Sequence, residues 1–422
     1  MIDQDRYISL DAIRGVAVMG ILAMNIAAFA YPISGYFNPL ASGAASQGDI
    51  ATWAFNFVLI DSKMRGMFSM LFGASTLLVM ERAAASGRNP ARSHYARMGW
   101  LFAFGLIHYY LIWFGDILTL YAACGLLLYF FRNLSIRALL WWALGFLVIS
   151  LLAFGSSWVF FALYESGQLP LELQADLTTE MADVSGDFGP ANNAYAPEVA
   201  LMRSDYAAIL ADRLGPHIDG PLTQIISFLW ETMALMLIGM ALFKARMLTG
   251  EWDAARYGKW AARCFLIAVP PLAGLVWYQI AMGYSIAAVF GSSIALSTLF
   301  DIILTIGWIA LIMLAITSWF SSAIVARLAA AGQMAFTNYL VTSLVMTTIF
   351  YGYGLSMFDQ VSRAGLYLCC FGMWAAMLIW SLPWLARFHY GPLEWLWRSL
   401  SRAEIQKMRR SNKSIARHSQ IS

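Results

Sequence analysis

The chain has 422 residues, of which 60% are hydrophobic and only 12% are Asp, Glu, Lys or Arg. Its mean hydropathy of +0.64 excludes a soluble globular protein of this length. The formal net charge of +3 gives no sign of a nucleic-acid-binding surface. Apolar runs of about 20 residues, without the ten-residue alternation of a barrel, indicate membrane-spanning helices. The sequence therefore predicts an all-α polytopic membrane protein whose immediate partner is the lipid bilayer.

Ten apolar runs are long enough, at about 1.5 Å rise per residue, to be membrane spans. They fall at residues 10–31, 65–81, 97–114, 116–131, 137–163, 222–243, 259–281, 293–319, 332–352 and 362–385. Residues 1–385 thus form a single predicted transmembrane domain. Residues 386–422 form a basic tail, which we expect to be cytoplasmic, solvated and disordered. The first run is too long and too polar for a cleaved signal peptide.

Basic residues provide a test of orientation, because Lys and Arg in short loops concentrate on the cytoplasmic side. Alternate connections carry them: Arg82, Arg88, Arg92, Arg97, Arg132, Arg137, Lys244, Arg246, Arg256 and Arg327. With ten spans, this pattern predicts that both termini are cytoplasmic. Lys63 and Arg65 are the exception, since they stand where the second span begins on the outer side.

The connection over 165–221 is predicted to be an extracytoplasmic loop, partly helical near 197–214. It is rich in acidic residues: Glu165, Glu172, Asp176, Glu180, Asp183 and Asp187. A second outer element is expected at 49–60, where the amphipathic pattern favours a helix lying along the membrane interface.

Polar groups inside spans indicate function, because a charge at a helix centre costs roughly 2.5–3.5 kcal/mol on insertion scales. We expect five of them to lie at similar depth, towards the outer face or the middle, and to line one cavity. These candidates are Asn25, His108, Asp116, Glu231 and Asp301. Asn338, in the ninth run, is a further candidate substrate-binding residue.

His108 is the only histidine inside a predicted span, and its ordinary pKa near 6.5 suits proton abstraction at neutral pH. Asp116 follows eight residues later and can orient the ring only if the helix breaks at Gly115, since eight helical residues span about 12 Å. Two simpler interpretations stay open. His108 is then a hydrogen-bonded core residue, and Asp116 caps the fourth helix.

Asp11 and Arg14 are three residues apart at the cytoplasmic start of the first span, where an ion pair is expected. The alternative is that Arg14 binds the phosphates of an anionic donor, together with the basic residues from Arg82 to Arg97. The four cysteines show no spacing typical of a metal site, and no metal is expected.

Five segments, in this order, resemble the YeiB-like family of bacterial membrane proteins. They are SLDAIRGVAVMGILAMNI, DSKMRGMFSMLFG, GLIHYYLIWFGDILTLYAACG, GQMAFTNYL and GPLEWLWR, and they extend from residue 7 to about 400. That family is in turn similar to a wider superfamily of transmembrane acyltransferases, which includes the OafA-type O-acyltransferases and heparan-α-glucosaminide N-acetyltransferase. The resemblance therefore implies a multi-pass protein of the bacterial inner membrane.

The resemblance to the acyltransferase superfamily rests mainly on the first span. This chain has no histidine at the position of the catalytic histidine of either kind of enzyme. OafA-type enzymes have a catalytic histidine eleven positions after an arginine of this helix, and here Asn25 stands eleven after Arg14. The heparan enzyme resembles this chain in having Asn there, with its histidine another eleven positions along. In this chain that position is Tyr36. His108 is therefore a substitute candidate.

The resulting expectation is an acyltransferase that moves an acyl group, for example acetyl from acyl-CoA, to an outer hydroxyl or amine of a glycan or lipid. His108 is then the base and Asn25 the hydrogen-bond donor, while Lys63 and Arg65 meet an anionic acceptor. No permanently bound cofactor is expected, and a homodimer is left open. The alternatives are a transporter, with His108, Glu231 and Asp301 as a relay, and a non-catalytic membrane scaffold.

Overall fold

The computed structural model describes residues 8–176, 181, 184, 186–190 and 193–410. These residues form helices and no β-strand, apart from one isolated antiparallel bridge between Phe388 and Arg409. The predicted all-α class is confirmed.

The first half of the chain contains helices α1 to α8. They are α1 (Ile8–Ala30), α2 (Ile33–Phe37), α3 (Gln47–Leu59), α4 (Lys63–Ala85), α5 (Pro90–Ile107), α6 (Leu118–Leu128), α7 (Ile136–Glu165) and α8 (Leu171–Asp176). A π-helix (His108–Ile112) continues α5, and a 3₁₀ turn (Tyr129–Phe131) ends α6.

The second half contains helices α9 to α18. They are α9 (Tyr195–Met202), α10 (Tyr206–Leu214), α11 (Gly220–Lys244), α12 (Ala254–Ala281), α13 (Ile286–Phe290), α14 (Thr298–Leu314), α15 (Ser322–Gln333), α16 (Ala335–Phe350), α17 (Arg363–Arg387) and α18 (Pro392–Arg402). π-Helices follow α13 (Gly291–Leu296) and α14 (Ala315–Trp319).

Each predicted span coincides with helix in the described residues. Seven helical segments are long and apolar enough to cross a membrane: Ile8–Ala30, Gln47–Ala85, Ile136–Glu165, Gly220–Lys244, Ala254–Ala281, Thr298–Trp319 and Arg363–Arg387. The other three predicted spans fall on α5 with its π-helix and on the shorter apolar helices Leu118–Phe131 and Ala335–Phe350. The protein is therefore polytopic, and the orientation of its termini stays a prediction.

Polar residues in the connections determine where many of the helices begin. Ser135 accepts a hydrogen bond from the backbone of Ala138, and Asp253 accepts one from Arg256. Such side chains satisfy one of the backbone N–H groups left free at a helix start. The same arrangement begins α3, α5, α10, α13, α15 and α17.

Glycines allow two pairs of helices to cross closely. A Cβ on Gly73 of α4 would lie 2.1 Å from the Met236 carbonyl oxygen of α11, and one on Gly239 would lie 1.8 Å from that of Met70. Gly15 of α1 and Gly332 of α15 face each other's backbones in the same way. Small residues let helix backbones approach in a bilayer, where van der Waals packing drives association.

The connection over 165–221, predicted to be the outer loop, packs against the bundle in its described residues. Its predicted helical part is confirmed by α9 and α10, while Glu180 and Asp183 lie outside the described residues. The Met202 carbonyl accepts a hydrogen bond from the Gly352 backbone at 2.9 Å, and the Arg203 side chain donates to the Phe358 carbonyl. The expected interfacial helix at 49–60 is α3. The loop is thus hydrogen-bonded to the segment that links α16 and α17.

The tail differs from the expectation of a solvated, disordered segment. Residues up to 410 are folded, and α18 packs against α5 and α16. The Glu394 carboxylate accepts hydrogen bonds from the backbone N–H and hydroxyl of Thr337, at the start of α16. The Trp397 indole donates to the Arg97 carbonyl at 2.9 Å. Lys413 and Arg417 of the predicted tail lie outside the described residues.

We expect Gly239→Ala to destabilise the protein strongly, because its Cβ would overlap the Met70 carbonyl and force α4 and α11 apart. The cost should be about 3 kcal/mol or more, at the upper end of overpacking effects. Gly145→Ala on α7 is the matched control, since nothing lies within 4 Å of a Cβ there. Thermal unfolding in detergent should show a large loss for Gly239→Ala alone; equal effects would contradict the close crossing.

Candidate functional site

His108 and Asp116 are brought together by a break in the helix. After the π-helix, Trp113 is extended (φ −154°, ψ 133°), and α6 begins only at Leu118. The His108 Nδ1 atom lies 2.8 Å from Asp116 Oδ1. A Cβ on Gly115 would lie 2.3 Å from the Trp113 ring, so the turn needs glycine there. The predicted break at Gly115, and the contact that depends on it, are confirmed.

Asp116 also caps α6. Its Oδ2 atom accepts hydrogen bonds from the backbone N–H and the hydroxyl of Thr119, each at 2.8 Å. Its backbone carbonyl accepts a bond of 2.6 Å from the Gln224 side chain on α11. One carboxylate therefore serves both roles that the sequence left open, and it is held rigidly while it orients the histidine.

His108 lies in an enclosed aromatic environment. Both His108 and Asp116 have 0% exposed side chains. The imidazole ring centroid is 5.1 Å from that of Tyr339 and 6.3 Å from that of Trp113. Among the described residues, no hydrogen-bond partner reaches His108 Nε2. Because Nδ1 is bonded to the Asp116 carboxylate, Nε2 is the ring nitrogen that is free to accept a proton or to contact a substrate group.

Asn25 lines a cavity that Tyr339 separates from His108. The cavity is small, with a volume of about 10 Å³, and its other walls are Val18, Ile21, Leu22, Phe29, Thr342 and Ser343. Phe29 stacks on Trp113 at 3.8 Å between ring centroids. The walls are mostly apolar, with the Asn25 amide and three hydroxyl groups. This volume is close to the space that one water molecule needs, so an acyl chain would enter only if the walls moved apart.

Lys63 and Arg65 form ion pairs inside the protein. The Lys63 ammonium lies 2.7 Å from Asp301 Oδ1 and also donates to the Phe57 carbonyl. Arg65 donates to both carboxylate oxygens of Glu231, at 2.9 and 3.1 Å. The side chains of Lys63 and Asp301 are only 2% and 8% exposed. These partners account for the two basic residues that are exceptions to the charge pattern of the sequence.

Lys63 and Asp301 line a second cavity, with a volume of about 30 Å³. Its walls also include Tyr36, Phe37, Trp53, Phe57, Asp61, Ser62, Ser293 and Ser297. Sequence reasoning overlooked Asp61, although it stands two residues before Lys63 in the DSKMRG segment. Asp61 Oδ1 is buried without a hydrogen-bond partner among the described residues. Three carboxylates, including Glu231, thus lie near two basic groups.

The expectation that the polar candidates line one cavity is wrong. Asn25 and Asp301 line different cavities. Within the described part of the chain, no hydrogen bond or ion pair joins His108 or Asp116 to the Lys63–Asp301 pair. The reason is that α4 turns its charged start towards α11 and α14, whereas His108 faces α6 and α16. The two groups form separate centres.

The remaining candidates have partners within the protein. Arg14 donates to Asp11 at 2.9 Å, which confirms the expected pair, and to the Ser75 hydroxyl at 2.7 Å. The Asn338 amide donates to the Ala331 carbonyl at 3.0 Å and accepts from the Trp380 indole at 3.1 Å. Asn338 has 0% exposure and joins α16 to α15 and α17.

The connection over 165–221 carries a titratable contact with the start of α2. The Glu198 carboxylate accepts hydrogen bonds of 3.2 and 3.3 Å from the Ile33 backbone at the start of α2. Burial raises the pKa of Glu198 from 4.5 to about 7, against the lowering effect of this backbone bond. Further charges acting on it are those of Asp187, His217 and Asp212.

We expect Lys63→Met to cost about 3–5 kcal/mol, because it leaves the Asp301 carboxylate buried without its cation. Adding Asp301→Leu should recover most of this loss, since both charges are then removed. Arg246→Met is the control, because its pair with Glu251 is exposed and should contribute little. Unfolding measurements on the four proteins test this; a double variant no better than the single one would contradict it.

We expect stability to fall as the pH rises from about 4.5 to about 7. Folded Glu198 keeps its proton in this window while the unfolded chain releases it, so the folded state binds more protons. Above pH 7 both states are ionised and this contribution is constant. The Glu198→Gln variant should lack this part of the decrease in stability. The Glu172→Gln variant, which is changed at an exposed site, should retain it. Melting temperatures at pH 5, 6, 7 and 8 provide the measurement.

Comparisons with known proteins agree with the sequence resemblance. Residues 242–404 match the family described as "Protein of unknown function (DUF418)". The "Uncharacterized protein YeiB" of Escherichia coli (strain K12) is 30% identical over 94% of this chain and 96% of its own. The "Uncharacterized protein YxaH" of Bacillus subtilis (strain 168) is 29% identical over 96% of each chain. No solved structure gives a significant match. The chain therefore belongs to the YeiB-like family, as the five sequence segments predict.

Proposed function

We propose that this protein is a transmembrane acyltransferase of the bacterial inner membrane. It takes an acyl group, for example acetyl, from a cytoplasmic donor such as acyl-CoA, and passes it to an extracytoplasmic hydroxyl or amine of a glycan or lipid. The apolar helices and the bacterial relatives support the location. The observation that carries the activity is the buried His108–Asp116 pair, in which Nε2 has no hydrogen-bond partner among the described residues. The imidazole packs against Tyr339, which is a wall of the Asn25 cavity.

This geometry suits general base catalysis. Asp116 accepts a hydrogen bond from the N–H group at His108 Nδ1, which fixes the tautomer and leaves the Nε2 lone pair available. Nε2 takes the proton of the acceptor hydroxyl or amine as the acceptor attacks the acyl carbon. The new C–O or C–N bond forms, the C–S bond of the donor breaks, and the leaving thiolate receives that proton from the imidazolium. Atoms and charge balance without a further reagent.

Asn25 and Arg14 complete the proposed arrangement. The Asn25 amide lines the cavity next to Tyr339 and can donate a hydrogen bond to the oxygen that becomes negative during attack. Arg14 lies eleven residues earlier, about 16 Å lower along α1, and can bind the charged part of the donor. The superfamily resemblance relates both positions to acyl transfer, and this supports their roles here.

Transport is the second candidate, favoured by the ion pairs Lys63–Asp301 and Arg65–Glu231. Charges this deeply buried in a membrane protein commonly mark an ion or proton pathway. His108 would not belong to such a relay, because it contacts neither pair.

We expect His108→Gln and Asp116→Asn to abolish acyl transfer while preserving donor binding. A lost general base typically costs 10²–10⁴-fold in rate. Proteoliposomes loaded with radiolabelled acetyl-CoA, and supplied outside with an envelope glycan and lipid fraction, measure transfer. Calorimetry with acetyl-CoA measures binding.

His94→Gln is the matched control for this experiment. His94 is also buried, but its Nε2 is bonded to the Gly125 carbonyl at 2.7 Å, so the variant should keep both binding and transfer. Transfer that survives His108→Gln would refute His108 as the base. A folded wild-type protein that binds no acyl-CoA, but moves protons across the membrane in a manner abolished by Asp301→Asn, would establish transport instead.

A further inference from the structure

The cavity lined by Lys63 and Asp301 also contains a carboxylate that no group of the protein contacts. Asp61, in the turn between α3 and α4, lines this cavity, and its Oδ1 atom is buried without a hydrogen-bond partner. Within the described ranges, no ion pair or hydrogen bond reaches the Asp61 side chain. A buried carboxylate is costly unless a cation or a hydrogen-bond donor meets it, so a partner from outside the chain would be stabilising here.

The cations nearby are held by other groups. The Lys63 ammonium lies 2.7 Å from Asp301 Oδ1, so these two charges neutralise each other. Arg363 is the other cation near Asp61, and its guanidinium donates to the Gly35 carbonyl. Neither basic group forms an ion pair with Asp61 among the described residues, and its carboxylate faces the cavity as an additional negative group.

The backbone holds Asp61 in a defined turn. Its N–H donates to the Asn56 carbonyl at 2.8 Å, at the end of α3. The next residue, Ser62, has φ 60° and ψ −35°, a conformation that residues other than glycine seldom adopt. The carboxylate is therefore presented to the cavity by a fixed main chain.

Aromatic side chains form much of the remaining wall: Tyr36, Phe37, Trp53 and Phe57. The Trp53 indole donates to the Phe37 carbonyl at 3.0 Å, and its ring lies 5.7 Å from that of Phe57 between centroids. These contacts fix the rings before any ligand arrives. The negative face of an aromatic ring attracts a cation, most strongly where water is excluded.

We propose that this cavity binds a primary ammonium group, with the Asp61 carboxylate accepting its N–H donors and the aromatic rings surrounding its charge. The cavity volume of about 30 Å³ equals roughly two water-sized groups, which matches an ammonium and the carbon next to it. Only the amine end of a ligand therefore enters.

A metal ion fits these walls less well than an ammonium group. Hard cations take six or more oxygen ligands, whereas half of the walls here are aromatic or apolar surface. Among the described residues, no group of three or more His, Cys, Asp or Glu side chains could hold a metal ion. The primary ammonium belongs either to a soluble amine or to the headgroup of a lipid such as phosphatidylethanolamine.

This inference does not rest on the proposed acyl transfer, because the cavity is separate from the His108–Asp116 centre. His108→Gln should bind the amine normally whether or not transfer occurs. Amine binding without any acyl transfer would therefore refute the proposed function and leave this inference intact.

The test uses the full-length protein in detergent with ethanolamine as the soluble probe, and follows the rise of the melting temperature with its concentration. Asp61→Asn is the site variant, since it removes the charge at nearly constant shape. Asp253→Asn is the matched control, because Asp253 is exposed and caps α12, a role that Asn also fills. Ethylene glycol, in which a hydroxyl replaces the ammonium, tests the need for charge on the wild type itself.

The lipid source is tested by native mass spectrometry of protein released from phosphatidylethanolamine and phosphatidylcholine nanodiscs. We expect about tenfold or more weaker binding of the amine by Asp61→Asn, the usual effect of losing a hydrogen bond to a charged group. Asp253→Asn should bind as the wild type does. Weakening with ethanolamine alone would assign the site to a soluble amine, and loss of retained phosphatidylethanolamine alone would assign it to lipid.

Three results would overturn the inference. The first is a wild-type protein that binds neither ethanolamine nor phosphatidylethanolamine. The second is equal binding by Asp61→Asn and Asp253→Asn, or equal stabilisation of the wild type by ethylene glycol and ethanolamine. The third is stabilisation by sodium chloride but not by ethanolamine hydrochloride, which would assign the cavity to a metal cation.

Discussion

Helix α4 begins with two basic side chains, Lys63 and Arg65, inside the protein, and their neutralisation constrains the surrounding structure. Lys63 needs Asp301 of α14, and Arg65 needs Glu231 of α11, so three helices must meet at one depth. Lower down, Gly73 and Gly239 let α4 and α11 touch. Charge pairing sets the depth at which the helices align, while backbone contact sets their separation. The His108–Asp116 centre lies outside these pairs and is positioned by the broken end of α5.

The sequence predicts the helices well because hydrocarbon imposes one rule on every span, namely continuous apolar residues of sufficient length. It allows the His108–Asp116 contact as one of two interpretations, because both residues lie in one short segment and the contact depends on a break at Gly115. It does not predict the partners of Lys63 and Arg65. Asp301 and Glu231 are far along the chain, and pairing between separate spans depends on helix packing.

The tail shows a second limit. Its basic residues favour a solvated orientation signal, but Pro392 at the helix start and the spaced apolar residues Leu393 and Trp397 are typical of an amphipathic helix. That interpretation relied on the basic residues of the tail and did not use the spacing of its apolar residues. The contact between the Arg97 guanidinium and the Trp397 ring could not be predicted from the sequence, because it depends on the packing of α18 beside α5.

The two ends of α1 restrict which donor could serve the proposed reaction. Arg14 and Asn25 are eleven helical residues apart, a separation of about 16 Å. A donor with its anionic group adjacent to the reactive carbonyl, such as an acyl phosphate, cannot contact both residues at once. A donor with a long flexible arm between its phosphates and its thioester can do so. If Arg14 binds the phosphates and Asn25 assists at the carbonyl, the spacing along α1 selects the coenzyme A type of donor.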